Sequence, residues 1–134
     1  MATTTEMITA SGVQVSTEQD FDLEIPVCAG LMRQGDVLIR PTKVTARTPV
    51  PPAGTPVVRG EASGNTHTII ADGPVYCDLL TGPANDLRIA TLSVPQGSTA
   101  YLAHPEHGFT GIAPGTYEIR RQREMAEQMR MVAD

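Results

Sequence analysis

The chain has no tryptophan and only five aromatic residues, Phe21, Tyr76, Tyr101, Phe109 and Tyr117, in 134 positions. Its core must therefore be built mainly from Val, Ile and Leu, many of them β-branched, which suits a pleated, half-buried surface. No apolar run approaches the roughly 18 residues that a membrane-spanning helix needs, and no basic-then-apolar leader opens the chain. Two cysteines, Cys28 and Cys77, are too few for a disulfide framework and are expected as buried free thiols in a reducing compartment. These absences together lead to the expectation of a soluble, cytoplasmic protein. Basic charge is also short. The net charge is −5, and residues 1–24 carry Glu6, Glu18, Asp20, Asp22 and Glu24 with no base, which leaves the remainder close to neutral. Such a balance argues against nucleic-acid binding driven by electrostatics.

What the chain has in quantity is punctuation. Eleven prolines and twelve glycines spread along it disfavour long helices and favour short strands joined by turns. The length is that of one domain, enough to bury roughly two-thirds of the surface exposed by the unfolded chain. Residues 1–20 are Thr/Ser/Glu-rich with little apolar patterning; they are expected as a flexible acidic arm, or a strand ordered by the body or by a partner. Phe21, Leu23, Ile25 and Val27 alternate on one face and predict a strand. Gly35-Asp36 marks a turn, and Asp36–Thr45 predicts a strand that is bent at Pro41 or lies at a sheet edge. Thr48–Gly54 is a Pro-rich connector. Thr66–Ala71 and Val75–Leu79 predict a hairpin about Asp72-Gly73. Strands are further expected at Leu87–Val94, Thr99–His104 and Thr116–Gln122, with a loop from Pro105 to Gly115. A short C-terminal helix follows, with Met125, Met129 and Val132 on one face; about ten residues are marginal as a helix unless docked. The expected fold is mostly β: a small antiparallel β-sandwich or barrel, residues 21–124, with a helical tail at 125–134.

All three histidines fall in two short pieces, Gly60–His67 and His104-Pro-Glu-His107-Gly108. His67 is in phase with Ile69 and Ala71, and His104 with Ala100 and Leu102, so both lean toward the more apolar strand face. His107 lies in the turn after Pro105. Two inward histidines and one from an adjoining loop are a candidate set of imidazole ligands for one divalent transition metal, with Glu61 or Glu106 as a carboxylate ligand or base. The competing reading is structural: His67 and His104 semi-buried and bonded to backbone, His107 exposed. Rings more than about 8 Å apart would exclude the metal, since Zn–N bonds are about 2.0–2.1 Å.

Gly60-Glu-Ala-Ser-Gly64 lacks the Lys-Ser/Thr ending of a phosphate loop and fails the register of a serine-nucleophile elbow. It reads as a bulge or tight turn. Arg120, Arg121 and Arg123 form a short basic run. They are either a solvated strand end paired to Glu118, Glu124 or the acidic arm, or a docking surface for an acidic partner.

Pro95-Gln-Gly97 precedes a strand that ends in a histidine, with Glu61 and His67 upstream, and in this the chain weakly resembles the cupins. It departs from them in that His104 lies seven residues beyond Gly97 and the upstream H-x-H is reduced to His67-Thr-Ile69. That resemblance implies a small β fold with inward, metal-binding histidines. Gln34-Gly-Asp-Val37, Gly60–His67, His104–His107 and Gly115–Glu124 resemble more closely a family of short bacterial proteins with the patterns Q-G-D-V, G-E-x-[TS]-G-x-x-H, H-x-E-H and R-Q-R-E. This second resemblance implies a further histidine in its members where this chain has Asn65, and it implies no known activity.

Two functions are expected from these features. The first is a non-enzymatic β-module acting by self-assembly, or by docking to a larger complex, through the N-terminal arm, Arg120, Arg121, Arg123, Met125 and Met129. The alternative is a small cupin-like metal-binding protein or metalloenzyme using His67, His104 and His107.

Overall fold

The computed structural model describes residues 2–13, 24–59, 66–80 and 88–121. The C-terminal helix, the Gly60–Asn65 piece and residues 14–23 of the expected arm and strand lie outside them. One helix, α1 (Thr4–Ser11), precedes ten strands: β1 (Val27–Cys28), β2 (Met32–Gln34), β3 (Val37–Pro41), β4 (Thr55–Val58), β5 (His67–Asp72), β6 (Tyr76–Leu79), β7 (Arg88–Val94), β8 (Thr99–His104), β9 (Gly108–Ile112) and β10 (Gly115–Arg121). They form two five-stranded sheets, ordered β1-β9-β8-β5-β4 and β2-β3-β10-β7-β6. All pairings are antiparallel except that of β1 with β9. The fold is a β-sandwich, one of the two forms, sandwich or barrel, that the short, evenly spaced strands predict.

The core between the sheets holds Ile69, Ala100, Leu102 and Ile112 from the first and Val37, Ile39, Ala90, Leu92, Tyr117 and Ile119 from the second. The outer face of the first sheet buries Ile70, Tyr101, Ala103 and Phe109 under Ala2, Met7 and Ile25. β8 is thereby buried on both faces, which is why Ala100-Tyr-Leu-Ala103 is apolar without alternation. No described helix is long and apolar enough to cross a membrane.

Several expectations change. Part of the segment read as an arm or strand is a helix on the body of its own chain. Thr3 and Glu6 close a capping box at its start, with Glu6 N donating to Thr3 Oγ1 at 3.1 Å and Thr3 N to Glu6 Oε1 at 3.2 Å. Glu24 makes only an isolated bridge with Thr3, and regular pairing starts at Val27. β3 ends at Pro41, short of the expected Thr45, although Thr42 N still donates to Thr116 O beside β10 at 3.0 Å. Asp72-Gly73 is not a hairpin: β5 pairs with β4 and β8 in one sheet, and β6 with β7 in the other. Gly73 (φ 90) and Pro74 turn the chain across the sandwich instead. The expected loop from Pro105 contains β9, paired with β8. Cys77 is buried and its thiol is pushed up to about 12 by burial, whereas Cys28 is exposed; both are free.

Candidate metal centre

The β8–β9 connection is a three-residue turn. His104 pairs with Gly108, which takes φ 79, and Pro105, Glu106 and His107 lie between them. This is the geometry of a hairpin closed by a glycine in the left-handed region. His104 shapes the turn itself. Its Nδ1 accepts the backbone N–H groups of Glu106, at 3.0 Å, and His107, at 3.2 Å. His67 opens the neighbouring strand β5, one step beyond the Thr68–Ala103 pair.

Strand register and turn geometry bring the three imidazoles together. Ring centroids lie 4.3 Å apart for His67 and His104, 4.6 Å for His104 and His107, and 5.9 Å for His67 and His107. A potential ligand nitrogen from each lies within 4.8 Å of the other two. Two nitrogens on one tetrahedral ion sit roughly 3.3 Å apart, so the cluster is slightly wider than a closed site. His67 and His104 are each only 6% exposed, and His107 is exposed, so the group opens to solvent on one side.

The floor comes from the other sheet. Between β2 and β3, Gly35 has φ 58, and a Cβ there would lie 2.8 Å from His107 Nε2. A side chain at Gly35 would have to push the exposed His107 ring from this position, besides straining the backbone. Gln34 ties the sheets together. Its buried side-chain amide donates to Leu102 O at 3.0 Å, Thr110 Oγ1 at 2.9 Å and, more weakly, Gly108 O at 3.4 Å. The His67 imidazole hydrogen-bonds the Gln34 backbone, while its own Nε2 is buried without a partner among the described residues. The bond to Gln34 is therefore made by Nδ1–H, and Nε2 holds a bare lone pair. An imidazole oriented through one nitrogen, with the other free, is the common state of a metal-ligating histidine. An orphaned, buried lone pair is otherwise costly.

Burial, then His104 and His107, lower the pKa of His67 from 6.5 to about 4, against the opposing pull of Asp36 and the Gln34 backbone. Burial and His107 lower that of His104, opposed by Glu106. Metal binding needs unprotonated imidazoles, so both shifts favour it.

Among the other sequence candidates, Glu106 is exposed in the β8–β9 turn, and its backbone N–H caps His104. It is not part of the group of converging ligand atoms. Glu61, Arg123, Met125 and Met129 lie outside the described residues. Arg120 Nη1 is 3.3 Å from Glu118 Oε1, whose other oxygen meets Arg40 Nε at 2.7 Å. Arg121 ends β10, exposed. Gln34 and Gly35 are site residues that a search by ligand type passes over; their signal was the Gln34-Gly-Asp-Val37 pattern, read from sequence only as a turn and a family mark.

Fold and site together define a small β-sandwich with a histidine cluster at one rim, where a turn of one sheet meets a hairpin of the other. The chain belongs to the family described as a domain of unknown function, DUF8820, whose model matches residues 33–122 and so spans the whole cluster and its floor. No curated protein and no solved structure shows significant similarity to the chain.

Proposed function

We propose that this protein binds one divalent transition metal at the His67–His104–His107 cluster. The observation that carries the reading is the buried Nε2 of His67, which has no partner among the described residues while the ring is held by the Gln34 backbone. Imidazole donors suit Zn, Fe, Ni and Cu. A site with so few protein ligands and one exposed side keeps positions for water or a small molecule, which extends the reading to a metalloenzyme. The cupin likeness then amounts to a shared arrangement: a small β fold that presents inward histidines to a metal. The test is metal content of tag-free protein by elemental analysis, beside His67→Ala. Near-stoichiometric metal in the wild type, absent from the variant, supports the reading; no metal in either ends it.

A second reading is assembly with copies of itself or a larger complex. It is supported by Leu31, 69% exposed just before edge strand β2, and by Leu79, exposed on the opposite edge strand β6. A sheet edge presents unpaired backbone N–H and C=O groups that can pair with another chain, and an apolar side chain beside it adds contact area. Sedimentation of wild type and Leu31→Glu tests it. A monomeric wild type that stays monomeric at high concentration removes self-association.

A further inference from the structure

The three histidines do not present the same chemistry. A neutral imidazole has one lone pair and one N–H. His104 spends its lone pair on the β8–β9 turn, where Nδ1 accepts from Glu106 N and His107 N. Rotating the ring by half a turn would set a carbon against both N–H groups and leave them unsatisfied, so these contacts fix its orientation. The ring proton is then on Nε2. His67 is the mirror case: Nδ1–H is donated to the Gln34 backbone and Nε2 is bare. The cluster thus holds an acceptor nitrogen from one strand and a donor N–H from the next, on rings whose centroids are 4.3 Å apart.

A metal cation is attracted to the first and repelled by the second. An oxygen ligand on that metal has the opposite preference. We infer that His104 is not a metal ligand but the hydrogen-bond donor that holds an exogenous oxygen ligand, water or a carboxylate, on a metal bound by His67 and His107. The assignment rests on the metal-binding reading above and refines it. It gives the site a ligand class, small oxygen donors such as water or a carboxylate, and explains why one histidine is committed to shaping the turn.

The experiment uses Co2+ as the metal and acetate as the oxygen ligand. Uptake and acetate response are both followed by visible absorption, on the full chain. His104→Asn is the informative variant, because the Asn carbonyl oxygen can accept the same two turn N–H groups while the Nε2–H is gone. His104→Asn is expected to bind Co2+ within about tenfold of wild type, as losses outside the ligand set do, and to lose most of the acetate-induced spectral change. His67→Ala is expected to lose Co2+ altogether. If His104→Asn loses Co2+ as completely as His67→Ala while retaining the wild-type circular dichroism and melting transition, His104 is a ligand and the inference is overturned. Unchanged acetate response in a Co2+-loaded His104→Asn overturns it equally. Should His104→Asn fail to fold, nitrogen-15 NMR of wild-type imidazoles decides. Co2+-free protein must show the Nε2–H tautomer at His104, and the opposite tautomer refutes the assignment. No Co2+ uptake by wild type defeats the metal-binding reading itself.

Discussion

At the scale of single residues, His67 links the site to pH. Its pKa lies near 4 in the folded protein because burial and two neighbouring imidazoles disfavour its charge, against 6.5 when exposed. The unfolded chain therefore takes up the proton first. The contribution to stability is present in full above pH 6.5, declines as pH falls toward 4, and is gone below that. A shift of this size corresponds to up to about 3 kcal/mol. Urea denaturation of metal-free protein at pH 7.5 and pH 4.5 should show this loss, and His67→Gln should flatten the profile. A wild-type profile with no drop across that window would contradict the burial and crowding described for His67. Gly35 makes a second residue-scale case. Gly35→Ala should destabilise the protein more than Gly30→Ala and weaken metal binding as well. Both glycines have positive φ, 58 and 83, but only at Gly35 would the new Cβ strike His107; at Gly30 it meets nothing within 4 Å. The backbone strain common to both is about 1 kcal/mol, so the excess reports the His107 contact. That excess should vanish in a His107→Ala background, which a double-mutant cycle of melting temperatures would reveal.

At the scale of elements, α1 offers the clearest prediction. Its eight residues are too few to stand alone, and its capping box supplies partners for backbone N–H groups that would otherwise have none. Thr3→Ala should cost about 1 kcal/mol, and Met7→Ala, which empties a buried position over Tyr101 and Phe109, about 2–5 kcal/mol. Chemical denaturation of each variant checks both. The same helix shows how much of the structure was legible beforehand. Short apolar runs bounded by turn residues were enough for β7, β8, β10 and for a sandwich-or-barrel class, because such runs and their punctuation are local properties. The facing of His67 and His104 was legible for the same reason, since their phase with Ile69 and Leu102 follows from a period of two. The helix was hidden because its burial comes from Tyr101 and Phe109, about a hundred positions away; its only local sign was Thr3-x-x-Glu6. β9 was hidden because glycine opens it and recurs at Gly111, where the Pro26 carbonyl oxygen approaches too closely for a side chain. The Asp72-Gly73 hairpin failed because a turn signal states that the chain reverses, not which sheet it joins. The role of the β2–β3 turn beneath the histidines depends on contacts across 68 to 76 residues, such as those of Gln34, and no local pattern carries them.

At the scale of the whole molecule, the cluster sits where the two sheets are joined. His67 and the His104–His107 hairpin belong to one sheet, and the Gln34–Gly35 turn that orients His67 and supports His107 belongs to the other. A metal held there requires the β5 and β8–β9 segments to be paired and the opposing turn to be in place, an arrangement the unfolded chain does not preserve. Binding restricted to the folded state raises stability by mass action, about 2.7 kcal/mol at a free metal concentration one hundred times the Kd. Zn2+ added to metal-free protein should therefore raise the melting temperature, increasingly with concentration, and chelator should reverse the rise. His67→Ala should melt at one temperature with or without Zn2+. Gln34→Leu is the sharper test of the joint. It keeps all three histidines and the backbone bond to His67, but removes the amide contacts to Leu102, Gly108 and Thr110. If the inter-sheet tie holds the cluster in shape, this variant should be less stable without metal and should gain less from a fixed Zn2+ concentration than wild type. An equal gain would mean that the first sheet alone organises the site and that the second serves only as its cover.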